Sequence, residues 1–400
     1  GTEQRANSYA KAALILLTLS LFVSPHLVHY GMGLMALLGV VEAVRHPAAL
    51  REWHARQLLL LFALLWLPMV IACANAVAPQ HSLRTVVPYL HLLPAAYFVM
   101  RACADVDVQR LVTLGAAILL AFVALDAFVQ LIWQQDLFGY PYDRKVLKGV
   151  FYPKQRLGLI LAVFAPLYID VVIRWCRVHP RLWLLLVPLV VVILMSLKRS
   201  AWIMLVFGLL AYVVLHMRLR QAPWSGRRVT QIVLLLVLAA GLAAVNPTLR
   251  TRLSDTSGLF STDAQVIDAA TAYRLTLWRT GARIFADHWP TGIGPRGFRH
   301  IYADYAAPDD FWIKRIGSGQ THPHQFMLEI AIESGVLGLA SFTAFYVLLL
   351  RLLSRPTVAK VVPVWLLAAA VACLPLNAHL AFYGAYWSTL VWLLLAVGLA

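Results

Sequence analysis

Residues 111–133 read LVTLGAAILLAFVALDAFVQLIW, an apolar run in which Asp126 is the only charged side chain. A run of this length forms a helix that crosses a hydrocarbon core of roughly 30 Å, because backbone groups in lipid must be satisfied within the segment. Similar runs recur along the chain of 400 residues, which is 61% hydrophobic and 13% charged and has a mean hydropathy of +0.74. The sequence therefore predicts an all-α integral membrane protein.

The apolar runs and the basic residues together predict the topology. Arginine and lysine cluster on alternate connections, including those that hold Arg51, Arg174 and Lys360, and the positive-inside rule places such connections in the cytoplasm. Both termini are then cytoplasmic, and the first helix is retained because no A-x-A-like cleavage site follows it. We predict about twelve transmembrane helices, near residues 8–23, 27–44, 58–77, 85–100, 111–133, 157–173, 182–197, 201–215, 230–245, 335–353, 361–377 and 383–399.

Two connections on the outer side break this pattern. The first, QQDLFGYPYDRKVLKGVFYPKQR at 134–156, holds more cations than carboxylates on the side where the rule predicts few; the cations are Arg144, Lys145, Lys148, Lys154 and Arg156. The second is long and polar but rich in aromatic side chains, which predicts an ordered extracytoplasmic domain rather than a turn. The predicted division is helices 1–9 over residues 1–245, a loop domain with amphipathic helices over 246–334, and helices 10–12 over 335–400.

Within the loop domain, residues 268–287 (DAATAYRLTLWRTGARIFAD) are predicted to form one amphipathic helix. Arg274 and Trp278 are four residues apart and so share a face of it. The stretch TGIGPRGF at 291–298 follows. A phosphate cradle is one interpretation of its glycines, but no strand precedes it, and a tight turn is the commoner structure.

The stretch THPHQFMLEIAIESGVLG at 321–338 carries the strongest local signal. Pro323 suits the first turn of a helix, and His324 would then lie in that turn, where the helix dipole disfavours imidazolium. A neutral imidazole is what a general base requires; the alternative is a histidine that is merely hydrated at the membrane interface. Gly335 is predicted to end this helix, and Gly338 to let the next transmembrane helix pack closely on a neighbour.

The stretch SLKRSAW at 196–202 places Lys198 and Arg199 in a very short outer turn between two apolar runs. Charges at this depth are costly and are usually functional or paired. Snorkelling to the interface explains Lys198 more readily than Arg199. A guanidinium held there suits bidentate contact with a phosphate group.

Other signals narrow the function classes. The four cysteines show neither CxxC nor metal-ligand spacing, so no disulfide framework or zinc site is indicated. The formal net charge of +16 is largely explained by the topology, which makes a nucleic-acid partner the weakest interpretation.

His324-Gln325, nine further residues and then Gly335-x-x-Gly338 match the H-[NSQ]-x9-G-x-x-G pattern of the O-antigen ligase family. The position also resembles that family, after the large outer loop and before the last transmembrane helices. Arg199 in KRSAW resembles the family's arginine in an outer helix turn. Arg274 and Trp278, ahead of residues 290–298, resemble an R-x-x-x-W and P-x-x-G-x-G segment that the ligases share with O-antigen polymerases. With the helix count and termini, the resemblance covers essentially the whole chain.

The resemblance implies a glycosyltransferase of the GT-C type in the bacterial inner membrane, with its active site on the periplasmic face. Such an enzyme transfers O-antigen polysaccharide from undecaprenyl diphosphate to lipid A-core in lipopolysaccharide biosynthesis, with inversion and without a metal or cofactor. Its partners are the lipid-linked donor, the acceptor and membrane lipids. In this chain the catalytic residue would be His324, and the diphosphate of the donor would be bound by Arg199, Arg274, Lys154, Arg156 and Lys198.

Two alternatives stay open on the sequence. An O-antigen polymerase or a protein O-oligosaccharyltransferase would use the same donor with a different acceptor. A transporter or flippase would use the outer cations to bind an anionic lipid-linked solute, although repeated halves with broken helices, which are common in transporters, are not visible here.

Overall fold

The computed structural model describes residues 2–143, 145–220, 226–355 and 363–400, so Arg144 and Lys360 of the predicted basic connections lie outside the described residues. Within these ranges the chain is helical and contains no strand, which confirms the all-α prediction. The helices are α1 Thr2–Ser20, α2 Leu27–Arg45, α3 Trp53–Ala72, α4 Pro79–Tyr89, α5 Leu92–Cys103, α6 Val106–Trp133, α7 Leu157–Trp175, α8 Leu186–Met195, α9 Arg199–Arg220, α10 Gly226–Val245, α11 Pro247–Ser257, α12 Ala264–Ala270, α13 Arg274–His288, α14 Phe298–Tyr305, α15 Phe311–Ile316, α16 Phe326–Leu353, α17 Val364–Ala372 and α18 Ala385–Leu399.

Eight helical segments in the described ranges are long and apolar enough to cross a membrane, so the chain is a multi-pass membrane protein. They are Arg5–Val23, Leu27–Arg45, Trp53–Asn75, Pro79–Cys103, Val106–Trp133, Leu157–Trp175, Arg199–Leu219 and Phe326–Leu353. Two shorter apolar segments, Pro180–Met195 and Ala385–Leu399, coincide with two more predicted spans, and α10 and α17 occupy the other two. The count of twelve stays a prediction, because α17, with 9 residues, is too short to cross alone.

The bundle is built around α7, α17 and α18, whose side chains are nearly all buried. α17 packs on α7 and α18, while α18 also packs on α5, and α16 packs on α3. At the rim, α2 leaves Tyr30, Leu37 and Val44 exposed, as expected of side chains that face lipid. The backbone N–H of Phe326 donates to the carbonyl of Asn377 at 3.1 Å. This packing therefore brings the loop between α17 and α18 against the start of α16.

Helix α16 departs from the sequence prediction at its start. It begins at Phe326, capped by the side chain of Gln325, so His324 precedes the helix and does not lie in its first turn. Gly335 interrupts the helix with φ of 66°, close to the predicted break. A Cβ at this position would lie 2.5 Å from the carbonyl oxygen of Pro290, so only glycine lets the two backbones meet. The three atoms nearest to a Cβ built at Gly338 belong to the preceding part of α16 itself, so close packing of Gly338 on another helix stays a prediction.

The predicted single helix over 268–287 is two helices, α12 and α13. Between them Ala272 and Tyr273 both have φ of 58°, a left-handed backbone that cannot continue a right-handed helix. The Asp268 carboxylate accepts a hydrogen bond from the Thr276 backbone N–H at 3.1 Å and so ties the two helices together across the turn. This left-handed turn ends at Tyr273, so α13 begins at Arg274. The Arg274 side chain therefore lies in the first turn of α13.

The segment from α13 to the first part of α16 has its own small core. Helices α13 and α14, the glycine-rich turn and the first part of α16 enclose six fully buried side chains, Leu277, Ile284, Ile293, Phe298, Tyr302 and Ile332. The apolar spacing of Leu277 and Ile284 predicted from the sequence therefore marks the buried face of α13. Because this core includes Ile332 of α16, helices α13 and α14 are anchored to the membrane bundle.

The connection at 134–156 is ordered by side chains of α6. The Gln130 Oε1 atom accepts from the Gly149 N–H at 2.9 Å, and the Asp126 carboxylate accepts from the Leu137 N–H at 2.9 Å. Lys148 forms an ion pair with Asp143 at 2.7 Å. One cation of this basic segment is therefore neutralised locally.

Candidate active site

The loop between α17 and α18, residues 373–384, gathers side chains from three distant parts of the chain. Its Ala378 carbonyl accepts hydrogen bonds from Arg274 Nη1 at 2.9 Å and from the Ser200 hydroxyl at 2.9 Å. Its His379 carbonyl accepts from the imidazole of His324 at 2.7 Å. Two adjacent backbone carbonyls thus bring α9, α13 and the segment before α16 to one place.

The contact of His324 defines its tautomer. A carbonyl oxygen only accepts, so the Nδ1 atom that faces the His379 carbonyl carries the proton, and Nε2 keeps a free lone pair. Burial lowers the pKa of His324 to about 4, the hydrogen bond to His379 opposes this shift, and repulsion from Arg274 and Lys198 adds to it. The imidazole is therefore neutral near pH 7, which is the state that a general base needs. The sequence predicted this state from a helix dipole, whereas burial is the larger cause in the structure.

Arg274 and Trp278, which were predicted to share one helical face, bond to the two segments that adjoin His324. Arg274 holds the Ala378 carbonyl, as described above, and the Trp278 indole N–H donates to the carbonyl of Pro323 at 3.0 Å. His324 has φ of 54°, a conformation that is strained for a side chain other than glycine. Bonds on both neighbouring segments hold it there.

Four cations lie near one another at this site. Lys198 and Arg274 act electrostatically on the imidazole of His324, and Arg199 and Arg252 act on Arg274. Burial lowers the pKa of Lys198 to about 8, with further repulsion from Arg274, Arg252 and Lys148. Burial likewise lowers the pKa of Arg274 to about 10, with repulsion from Arg199 and Arg252. Mutual repulsion of this kind shows that cations outnumber anions here; Asp255 is the carboxylate that acts on Arg199. We call these four residues the cation cluster.

Contacts of the cation cluster support the same conclusion. In the described part of the chain, no ion pair joins any of the four to a carboxylate. One nitrogen of Arg199 donates to the Ala270 carbonyl, but its Nε and Nη2 atoms are buried without a partner, as is Nε of Arg252. Buried guanidinium donors are rarely left unpaired. The cluster is thus suited to bind an anion with several oxygens, such as a diphosphate.

The structure brings together His324, Arg199, Arg274 and Lys198, four of the six site residues predicted from the sequence. Lys198 also donates to the Gln155 side chain of the 134–156 connection. Arg156 lies elsewhere, with its guanidinium 3.9 Å from the centre of the Tyr386 ring, and Lys154 is exposed. No contact among the described residues places either of these two in the cation cluster.

Several residues at this site were not predicted from the sequence. Arg252 belongs to α11, and its only signal was a basic residue in a polar helix. His322, which was seen only as part of the histidine motif, also bonds to the His379 carbonyl, at 3.0 Å, and its pKa falls to about 3 mainly through burial. His379 itself lies in a polar stretch, NAHLAFYG at 377–384, that interrupts two apolar runs. This interruption was the feature of the sequence that could have pointed to His379.

Glu329 fastens the loop from the other side. This fully buried carboxylate accepts from the backbone N–H groups of Phe382 at 3.0 Å and Tyr383 at 3.2 Å. Hydrogen bonds to a charged acceptor are among the stronger ones in proteins. Glu329 therefore fixes the loop whose carbonyls orient His324 and Arg274, without touching either of them.

Fold and site together define a class: a multi-pass membrane protein with a neutral, oriented imidazole beside a cluster of half-buried cations that form no ion pair within the described residues. Residues 183–343 match the family model described as O-antigen ligase. The matched region, about two fifths of the chain, includes Lys198, Arg199, Arg274 and His324. The chain thus carries an O-antigen ligase family domain, which confirms the resemblance drawn from the sequence. Members of this family are glycosyltransferase-like ligases and polymerases that act on lipid-linked polysaccharides. No protein with a curated description matches the chain.

Proposed function

We propose that this protein is an O-antigen ligase that joins a polysaccharide carried on undecaprenyl diphosphate to lipid A-core. The reaction takes place at the periplasmic face of the bacterial inner membrane, with both chain termini in the cytoplasm and a GT-C type arrangement of helices. The observation that carries the proposal is the free Nε2 atom of a neutral His324 beside half-buried cations, whose guanidinium groups include buried nitrogens without a partner in the described residues. A base and an anion site are the two groups that such a transfer requires.

In the proposed reaction, the acceptor hydroxyl oxygen attacks the anomeric carbon from the face opposite the diphosphate. The bond from that carbon to the diphosphate oxygen breaks, and the anomeric configuration inverts. His324 Nε2 accepts the hydroxyl proton. Arg199, Arg274 and Lys198, joined by Arg252, stabilise the negative charge that grows on the leaving diphosphate, which is work that a metal ion does in other transferases.

An apolar cavity of about 350 Å³ supports a lipid-linked donor. Its lining combines α1 and α6 with Phe138, Tyr140 and Phe151 of the 134–156 connection. Phe22, also in the lining, accepts a hydrogen bond through its carbonyl from Tyr386, the residue under the Arg156 guanidinium. We assign the polyprenyl chain to this cavity. Because Arg156 lies over Tyr386, we place its guanidinium along the donor chain and not at the diphosphate.

The test is ligation by purified protein with lipid-linked polysaccharide and lipid A-core, in the presence and absence of EDTA. We expect a joined product under both conditions. His324→Ala should lower its rate by about 10² to 10⁴-fold, the usual contribution of a general base, while His54→Ala, at an exposed histidine, should leave it unchanged.

Other outcomes would assign the alternatives. A lengthened donor without transfer to lipid A-core would identify a polymerase. Movement of the donor across a bilayer without any new covalent bond would identify a flippase. Wild-type rates in His324→Ala would remove this histidine from catalysis.

A further inference from the structure

A polar cavity, separate from the apolar cavity described above, lies beside the 373–384 loop. It has a volume of about 190 Å³ and lies between α4, α5, the glycine-rich turn and the start of α18. Its polar lining includes Arg84, His91, Arg296, Tyr383 and Thr389. Since a water molecule occupies roughly 30 Å³ of liquid, this space holds a phosphate-sized group together with several waters.

Two polar groups at this cavity have no partner in the described residues. Arg296 Nη1 and the hydroxyl of Thr389 are both buried and make no hydrogen bond. The Thr389 side chain is fully buried, in a helix that is mostly apolar. Buried donors are normally satisfied, so two such donors lining one cavity point to an acceptor that enters from outside.

The charge around the cavity is positive. Arg84, Arg296, Arg299 and His300 all act electrostatically on His81, whose ring centre lies 5.0 Å from that of His300. Burial, with repulsion from Arg296, lowers the pKa of Arg299.

Two buried acidic side chains, Glu329 and Glu333, face the same region. Both oxygens of Glu329 accept from backbone N–H groups of the 373–384 loop. Glu333 accepts from the Arg296 backbone N–H at 2.6 Å, and its other oxygen is buried without a partner. Neither forms an ion pair with an arginine in the described ranges. The three arginines Arg84, Arg296 and Arg299 therefore keep donors free for an incoming anion.

The two positively charged regions act on different members of one histidine pair. The rings of His322 and His324 contact each other, with centres 3.9 Å apart and planes tilted by 54°. Arg274 and Lys198 of the cation cluster act on His324, while Arg296 and Arg299 act on His322. A substrate held by Arg296 would thus lie on the His322 side of the base, and the donor diphosphate with Arg274 and Lys198.

We propose that the cavity lined by Arg84, Arg296 and Thr389 binds a phosphate group carried on the sugars of the acceptor glycolipid. This inference rests on the proposed function, because it assigns the acceptor side of the same site. Phosphate supplies several acceptor oxygens, which match two guanidinium groups and a free hydroxyl. Binding there would position the acceptor for attack and would select phosphorylated acceptors over neutral ones.

The experiment measures turnover and binding with a phosphorylated acceptor glycolipid and with the same glycolipid after phosphatase treatment. Arg84→Gln and Arg296→Gln should each raise KM and Kd for the phosphorylated acceptor about tenfold and leave the donor KM unchanged. Thr389→Val should raise both a few-fold; because its hydroxyl has no internal partner, folding should not be affected. Arg279→Gln, at an exposed arginine of α13, is the matched control. With the dephosphorylated acceptor, all variants should match wild type.

Equal effects on both acceptors, or none on either, would overturn the proposal. A bulk phospholipid is tested by repeating the binding in nanodiscs with and without phosphatidylglycerol. A response of the variants to that lipid, and not to the acceptor phosphate, would also overturn it. If wild type forms no product with any acceptor, the proposed function fails. The binding measurement still tests the cavity in that case. Phosphate-dependent binding that is lost in Arg296→Gln would show that the cavity binds phosphate, whether or not a product forms.

Discussion

The pH dependence of turnover tests the assignment of His324 as the base. Its pKa of about 4 leaves about 97% of the imidazole neutral at about pH 5.5, whereas an ordinary histidine with a pKa near 6.5 would be only about 9% neutral there. We therefore expect kcat/KM to stay level from about pH 8 to pH 5 and to fall tenfold per pH unit only below about pH 4. A solvated histidine would already have lost about tenfold at pH 5.5.

The displacement of this acid limb follows from the environment of His324. The shift from 6.5 to about 4 corresponds to about 3 kcal/mol against placing a proton on the buried ring. Part of that cost is repulsion from Arg274. Arg274→Gln removes this repulsion, so the residual activity of that variant should show an acid limb at higher pH than wild type.

The assay is kcat/KM for ligation between about pH 3.5 and 8 with saturating donor. His322→Gln is the control, because a glutamine amide can donate to the His379 carbonyl in place of the imidazole and because the pKa of His322, at about 3, lies below the range. An acid limb centred near pH 6.5 in wild type would refute the reasoning, since it would show that the imidazole is hydrated and not buried.

Two further predictions concern the cation cluster and the 373–384 loop. Arg199→Gln and Arg274→Gln should each lower kcat by about 10² to 10³-fold, as the loss of one stabilising donor does at other sites of developing charge, with Arg279→Gln as the control; wild-type turnover and unchanged donor KM in both variants would rule out diphosphate binding. Glu329→Gln should leave one loop N–H without an acceptor and cost about 1 to 3 kcal/mol of loop stability, seen as a lower kcat with nearly unchanged KM values and a shifted acid limb. A parallel loss of membrane-inserted protein, without that kinetic signature, would show that Glu329 is structural only.

The residues with proposed catalytic roles are held in place by a loop, and that loop is held in place by α16. His324 and Arg274 are oriented by neighbouring carbonyls of one loop, Ala378 and His379. That loop is in turn fastened to α16 by Glu329. Catalytic geometry therefore depends on the packing of α16 against the last two helices, and substitutions in this packing should affect turnover before they affect insertion.

The sequence alone determined which long apolar segments are helices and which residue types are available for the proposed chemistry. Apolar length predicts a helix in lipid because no other local structure satisfies the backbone there. The break near Gly335 and the shared face of Arg274 and Trp278 were likewise local, since each depends on residues within a few positions along one helix.

Where local signals competed, the sequence prediction was wrong. The helix expected over 268–287 is divided at Ala272 and Tyr273, because Asp268 bonds across the turn. His324 lies before α16 because Gln325 is the residue that caps it. Both positions were compatible with a helix by composition, and only contacts formed in the folded chain decided between the alternatives.

The tertiary structure alone decided which side chains meet. Arg274 and Ala378 are 104 positions apart. The atom that Arg274 contacts is a backbone carbonyl, which every residue possesses, so the residue type does not predict this contact. For the same reason Arg252 joins the cation cluster while Arg156, in a segment just as basic, stacks on Tyr386. Residue types along a chain define what chemistry is possible, but convergence of distant segments is set by helix packing, which depends on the whole sequence at once.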